Sequence, residues 1–144
     1  MNTWQYPHQF AKYLLFLKQY DINSYLEIGT NYGGSFITTV EYINKIHNKN
    51  ITAYGIDIFG VHQNLREYET LNKNVNVSQL DSKSIYFKNI LSNKKFDLCL
   101  IDGDHSYEGC MKDCELVKNK AKIIVFHDIC DDFIGVQQVW KEIS

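Results

Sequence analysis

Two short stretches of the chain place carboxylates and imidazoles directly after apolar runs. The first is Phe96-Asp97-Leu98-Cys99-Leu100-Ile101-Asp102-Gly103-Asp104-His105, and the second is Ile123-Ile124-Val125-Phe126-His127-Asp128. Each reads as a buried β-strand whose C-terminal end carries ionisable groups. If the two strands are neighbours in a parallel sheet, Asp102 and Asp128 meet at one point. Carboxylates paired at an apolar mouth repel unless they share a proton or bind a cation. Hard oxygen ligands favour Mg2+, Mn2+ or Ca2+. A cation so held lowers the pKa of a hydroxyl and aims its oxygen, and a base beside it can take the proton. His105, three residues past Asp102 at the start of the next helix, is the candidate base. Plainer roles stand beside these: Asp102 and Asp104 as helix caps, and His127 as a structural, hydrogen-bonding histidine.

A second constellation lies nearer the N-terminus. The run Tyr25-Leu26-Glu27-Ile28-Gly29 leads into Thr30-Asn31-Tyr32-Gly33-Gly34-Ser35, a glycine-rich passage from strand to helix. Glycines there permit a tight turn and the close approach of a ligand to the backbone. The spacing is G-x-x-x-G-G, unlike the G-x-G-x-x-G of dinucleotide binders. Asp57 ends the next apolar run, where a carboxylate can accept from both hydroxyls of a ribose. Capping of a neighbouring backbone amide is the plainer role for Asp57 and for Glu27.

The elements that must position these residues alternate along the chain. Helical spacing of Phe10, Leu14 and Leu17 predicts a helix over 8–20, followed by a strand over 25–29. Helices are predicted over 35–46, 62–71, 82–91 and 106–118, with Val136, Val139, Trp140 and Ile143 marking a last one. Between them fall strands over 51–57, 74–78, 96–102 and 122–127. A leading helix followed by five strand–helix units implies a Rossmann-like, doubly wound α/β fold with a parallel sheet of about five strands. Ligands in such sheets bind beyond the carboxyl ends of the strands. Glu27 to Thr30, Asp57, Asp81-Ser82, Asp102 to His105 and His127-Asp128 all fall at those ends.

Leu26-Glu27-Ile28-Gly29-Thr30 with Gly33-Gly34-Ser35 resembles the first motif of class I S-adenosylmethionine (SAM) dependent methyltransferases, and Tyr54-Gly55-Ile56-Asp57 resembles their second-strand acidic motif. The resemblance implies that Glu27, Gly29, Thr30, Gly33, Gly34 and Ser35 surround the amino-acid part of SAM. It further implies that Asp57 holds the ribose, that Asp81 and Ser82 lie near the adenine, and that Asp102 borders the cofactor. Gln5-x-Pro7, the Gly33-Gly34-Ser35 turn and Ile101-Asp102-Gly103-Asp104-His105 are similar to the metal-dependent sugar and small-molecule O-methyltransferases, the macrolide-sugar and cephalosporin-hydroxylase-like group. That likeness implies a divalent metal, Mg2+ or Mn2+, on Asp102, His127 and Asp128, with His105 as general base and the hydroxyl of a sugar or small natural product as acceptor. The sequence departs from this group in two ways. His127 stands where the group carries an acidic or amide ligand, and imidazole suits Mg2+ less well than Mn2+, Fe2+ or Zn2+. The family sheet also continues with two further strands, the last antiparallel, which are missing here: either this domain is a minimal version, or the rest lies outside this chain. A fifth strand left unpaired at its edge is a pairing liability, and predicts an oligomer or a covering partner.

Length and composition set the outer bounds. The 144 residues fit one domain over 1–144, with the leading helix at 8–20, a SAM-binding half at 24–82 and a catalytic half at 95–144. A formal charge of -2 argues against tight binding to nucleic acid, which needs a concentrated basic surface, although it leaves room for a local basic patch. No run approaches the length of a membrane span, and Met1 to Pro7 lack the features of a signal peptide, so a cytoplasmic location is expected. Cys99, Cys110, Cys114 and Cys130 lack CxxC spacing and read as free thiols. Two rival functions remain open at this level: a truncated methyltransferase-fold module that binds SAM or a partner without turnover, and a metal-dependent hydrolase that uses the Asp/His residues to activate water. The glycine turn and Asp57 speak against the hydrolase, which needs no nucleoside site.

Overall fold

The computed structural model of the chain describes residues 6–144. Gln5 of the Gln5-x-Pro7 element therefore lies outside the described residues. The elements are α1 (Pro7–Leu17), β1 (Ser24–Ile28), α2 (Gly34–His47), β2 (Thr52–Asp57), α3 (Gln63–Leu71), β3 (Val75–Gln79), α4 (Ile85–Ser92), β4 (Phe96–Ile101), α5 (Tyr107–Val117), β5 (Ala121–Phe126) and α6 (Ile134–Ile143). The predicted order is the observed one. Most boundaries move by one or two residues. The two larger shifts are at α1, which ends at Leu17 and not at residue 20, and at α4, which starts three residues later than predicted. Its delay has a local cause: Ser84 caps the helix by accepting from the Phe87 amide, so the residues before it stay in the loop.

The five strands form one parallel sheet in the order β3-β2-β1-β4-β5. The chain winds outward from β1 to β3, then returns to place β4 on the other side of β1. This is the doubly wound arrangement, with its switch point between β1 and β4. Alternate strand residues face opposite layers. Tyr25, Ala53, Val75, Leu98 and Leu100 pack with Leu17 of α1, Phe36, Val40 and Ile43 of α2 and Leu65 of α3. Leu26, Ile28, Cys99, Ile101 and Phe126 pack with Phe87 of α4, Cys110, Cys114 and Val117 of α5, and Val136 and Val139 of α6. The interior strand β4 is buried at every position, as a strand covered on both faces must be.

Among the described residues β5 pairs only with β4, and its Ile123, Ile124 and Val125 are half-buried. Cys110 and Cys114 are buried in the second layer, and all four cysteines are free thiols, as expected. Among the described residues no helix is long and apolar enough to cross a membrane.

Candidate active site

The strand ends on either side of the switch point are tied together by backbone hydrogen bonds. Asp102 N–H donates to Ile28 O, Gly29 N–H to Ile56 O, and His127 N–H to Ile101 O. Gly29 has φ +91°, and a Cβ on it would stand 2.1 Å from the Asp102 carbonyl oxygen. Only glycine allows the first turn to pass this close to the end of β4. Gly33, at φ 84°, takes the N-cap position of α2, and no side chain caps that helix. Gly33, Gly34 and Ser35 are buried. A buried helix start without a side-chain cap leaves backbone amides suited to an anionic ligand group.

Asp57 ties the glycine turn to the loop after β2. Its Oδ2 accepts from the Asn31 amide at 2.8 Å and its Oδ1 from the Phe59 amide at 2.9 Å. It thus performs the capping role and also stands where β2 meets the glycine turn. Glu27 is fully buried; its carboxyl accepts from Ser35 Oγ at 2.6 Å and from the Tyr25 hydroxyl. Burial pushes its pKa up to about 8, against the lowering effect of those two hydroxyls. The Thr30 hydroxyl is buried without a hydrogen-bond partner.

Asp81 and Ser82 sit at the end of β3. Asp81 Oδ1 accepts from the Lys83 amide, while Ser82 Oγ donates to Asp113 Oδ1 at 2.5 Å. Asp113 lies on α5, 1 % exposed, and burial raises its pKa above the usual carboxylate range. A Cβ on Gly103 would lie 3.4 Å from Asp113 Oδ2. Asp113 therefore ties the loop after β3 to α5, close to the loop after β4, a role that sequence reasoning missed. The signal was its position in the Cys110, Asp113, Cys114, Val117 stripe, where an acid faces the core.

The second constellation converges. One ligand atom from each of Asp102, His105, His127 and Asp128 lies within 4.8 Å of every other. His127 Nδ1 is 3.1 Å from Asp102 Oδ1 and 2.9 Å from Asp128 Oδ1. His105 Nε2 is 3.0 Å from Asp128 Oδ2 and 3.6 Å from Asp102 Oδ1. Consecutive residues of an extended strand point to opposite faces, so His127 and Asp128 could not share a centre on a continuing β5. The strand stops at Phe126, and Asp128 takes the left-handed conformation, φ 56°, which turns its carboxylate back beside His127. Backbone strain of this kind at a non-glycine residue is a mark of functional sites. The His105 ring packs on Phe133, with centroids 4.3 Å apart, a support from the loop before α6 that the sequence did not reveal. Asp104 faces away: it accepts from the Ser106 amide and pairs with Lys83, as a cap.

The charges explain the protonation pattern. The Asp102 carboxylate, with Asp128 beside it, raises the pKa of His105 above the usual histidine value against the cost of burial. At His127 burial opposes the charged ring, but Asp102 and Asp128 outweigh it and the pKa again rises. Burial also works against a charged Asp102, yet the imidazoles of His105 and His127 beside it hold it below the usual range. The centre thus attracts positive charge, and a divalent cation meets the same demand. The donors fit one: His127 Nδ1 is buried and close to both carboxylates, yet aligned for a hydrogen bond with neither. A cation at about 2.0–2.3 Å from each donor sets neighbouring donors roughly 3 Å apart, the spacing seen here.

His127 and Asp128 also line a cavity of about 320 Å³ between α1 and β5, walled by Tyr6, Phe10, Tyr13 and Val125. The glycine turn after β1, the Asp/His centre and this cavity follow one another across the strand ends.

Residues 26–129 match the family model described as a methyltransferase domain. The chain belongs to this methyltransferase family. No curated protein matches it. The methyltransferase chain is similar in fold to the apo structure of CalS11, a TDP-rhamnose 3'-O-methyltransferase of calicheamicin biosynthesis, with TM-score 0.71 and 14% identity over 96% of this chain and 71% of that one. It is similar also to an O-methyltransferase from Bacillus cereus in complex with SAH, with TM-score 0.69 and 16% identity over 96% of this chain and 70% of that one. A SAM-dependent methyltransferase from Geobacter sulfurreducens in complex with S-adenosyl-L-homocysteine aligns with TM-score 0.55 and 18% identity over 83% of this chain and 47% of that one. At these identities the likeness establishes a Rossmann-like methyltransferase fold.

Proposed function

We propose that this methyltransferase moves the methyl group of SAM to a hydroxyl of a sugar or small natural product, with a divalent cation held by Asp102, His127 and Asp128 and with His105 as general base. One observation carries the reading: four mutually close Asp/His donors, with His127 Nδ1 unpartnered among them, stand between the glycine turn at the switch point and a cavity able to take a small acceptor. The names of the similar structures support SAM as donor and, for CalS11, a sugar acceptor.

SAM supplies a methyl group already activated on a sulfonium. A divalent cation would lower the pKa of the acceptor hydroxyl and hold its oxygen. The chain's own residues supply the rest. In this reading the uncapped α2 start, with Gly33, Gly34 and Ser35, receives the carboxylate of the cofactor's amino-acid part. Glu27, Gly29 and Thr30 shape that turn, Asp57 takes the ribose, and Asp81 and Ser82 border the adenine. Asp102 stands between cofactor and metal. His105 accepts the acceptor's hydroxyl proton, steadied by Phe133 behind its ring. The aromatic rings of Tyr6, Phe10 and Tyr13 suit the apolar face of a sugar or other small ring. The unit over 1–144 would carry both halves of the site, and the unpaired edge of β5 supports self-association.

Calorimetric titration with S-adenosylhomocysteine tests the donor site. Binding is expected, weakened about tenfold or more in Asp57→Ala, which loses charge-assisted hydrogen bonds. Transfer of label from methyl-labelled SAM to a panel of hydroxylated sugars and small phenols, with Mn2+ or Mg2+ present, tests the reaction. Absence of binding and of any SAM-dependent rise in melting temperature would overturn the proposal. Binding without transfer to any acceptor would favour a SAM-binding module instead.

A further inference from the structure

We infer that the Asp/His centre selects a first-row divalent transition ion, Mn2+ included, over Mg2+, and that His127 is the selecting residue. The inference rests on the metal reading above and goes beyond it by naming the ion class. Mg2+ demands oxygen donors and gives up water reluctantly, whereas imidazole nitrogen favours first-row transition ions. An all-oxygen centre built on two aspartates would leave the choice to ion abundance. This centre is different, because His127 puts a nitrogen between the two carboxylates.

The geometry makes that nitrogen hard to avoid. His127 Nδ1 is buried and lies about equally far from Asp102 Oδ1 and Asp128 Oδ1, 3.1 and 2.9 Å. It makes an aligned hydrogen bond to neither, so it faces the space that the carboxylates share. The His127 amide is bound to Ile101 O, which fixes the backbone at the end of β5. The left-handed turn at Asp128 holds the next carboxylate against the same ring. An ion that binds both aspartates therefore meets the His127 nitrogen. A second nitrogen, His105 Nε2, lies at the other oxygen of Asp128, 3.0 Å from Oδ2, within the same 4.8 Å group. With Asp102, His127 and Asp128 as protein donors, a six-coordinate ion retains positions for the acceptor oxygen and water. A closed four-coordinate site would not.

The test uses the whole chain, stripped of metal with a chelator, and does not require turnover. Mn2+ binding is followed by loss of the free-ion electron paramagnetic resonance signal, alone and with Mg2+ as competitor. Expected are saturable binding of one Mn2+ and displacement only by Mg2+ in excess of about tenfold or more. Pulsed resonance spectra of bound Mn2+ should carry nitrogen modulation from imidazole. In His127→Asn, which offers an amide oxygen, the Mn2+-over-Mg2+ preference should fall about tenfold and the nitrogen modulation should weaken. Circular dichroism confirms that the variant is folded, and His127→Asp serves as a second oxygen-donor variant should the first unfold. Equal competition by Mg2+ in the wild type, or an unchanged preference and nitrogen signal in both variants, would overturn the inference. Failure to bind Mn2+ at all would overturn it together with the metal assignment. Binding of S-adenosylhomocysteine, measured separately, reports on the methyltransferase reading itself.

Discussion

His105 and Glu27 are the two residues whose ionisation the fold has altered most usefully. His105 is half-buried, paired with Asp128 and backed by Phe133, so it can take a proton without swinging free. His105→Gln should lower kcat by about 10²–10⁴, the usual contribution of a general base, while Mn2+ affinity stays nearly unchanged. Loss of Mn2+ binding in that variant would make His105 a ligand and not a base. Glu27 lies on the other side of the switch point, with a pKa raised from 4.5 to about 8 by burial. The folded state thus holds its proton where the unfolded chain releases it. Its stabilising effect is complete below about pH 4.5 and is lost as pH rises through about 8. At most it amounts to roughly 4–5 kcal/mol. Urea unfolding at pH 6 and pH 9 should show the wild type losing stability relative to Glu27→Gln at the higher pH. Parallel behaviour of the two proteins would show that Glu27 titrates normally.

At the scale of elements, the site is made by junctions more than by helices or strands. The β1–α2 turn presses on the end of β4, and Gly29→Ala would drive a Cβ into the Asp102 carbonyl as well as into an unfavourable φ. Its cost is expected to be at least about 2 kcal/mol in urea unfolding; a variant as stable as wild type would mean that the two turns can separate freely. The β3–α4 loop is joined to α5 through Ser82 and Asp113. Asp113→Ala strands a buried hydroxyl and should cost about 1–3 kcal/mol, whereas Asp113→Asn keeps an acceptor and should recover most of it. Equal losses in both variants would show that charge, and not the hydrogen bond, matters at this position.

For the molecule as a whole, the parallel sheet explains why chemistry gathers at one end. All five strands run the same way, so every strand's carboxyl end contributes to a single face. The same topology leaves β5 with one unpaired edge and half-exposed Ile123, Ile124 and Val125. Sedimentation velocity over a wide concentration range is expected to show self-association, weakened by Ile124→Lys. A monomer at every concentration would remove that expectation.

The sequence by itself determined the order of elements, the parallel α/β class and the residues at the strand ends. These are local properties: apolar runs, helical spacing and the placement of glycine and acid can be read from neighbours in the chain. Asp102, His105, His127 and Asp128 were legible as types for the same reason. The tertiary structure decided what they face. Whether β4 and β5 are adjacent depends on the winding of the sheet, and the shared aim of His127 and Asp128 depends on one left-handed residue. Ser82 carries a hydroxyl that the sequence assigned to the adenine border, yet its hydrogen bond goes to Asp113, 31 residues away. Phe133 behind His105 and the aromatic wall from α1 are likewise contacts across the fold. Such partners are chosen by packing in three dimensions, and no spacing along the chain encodes them.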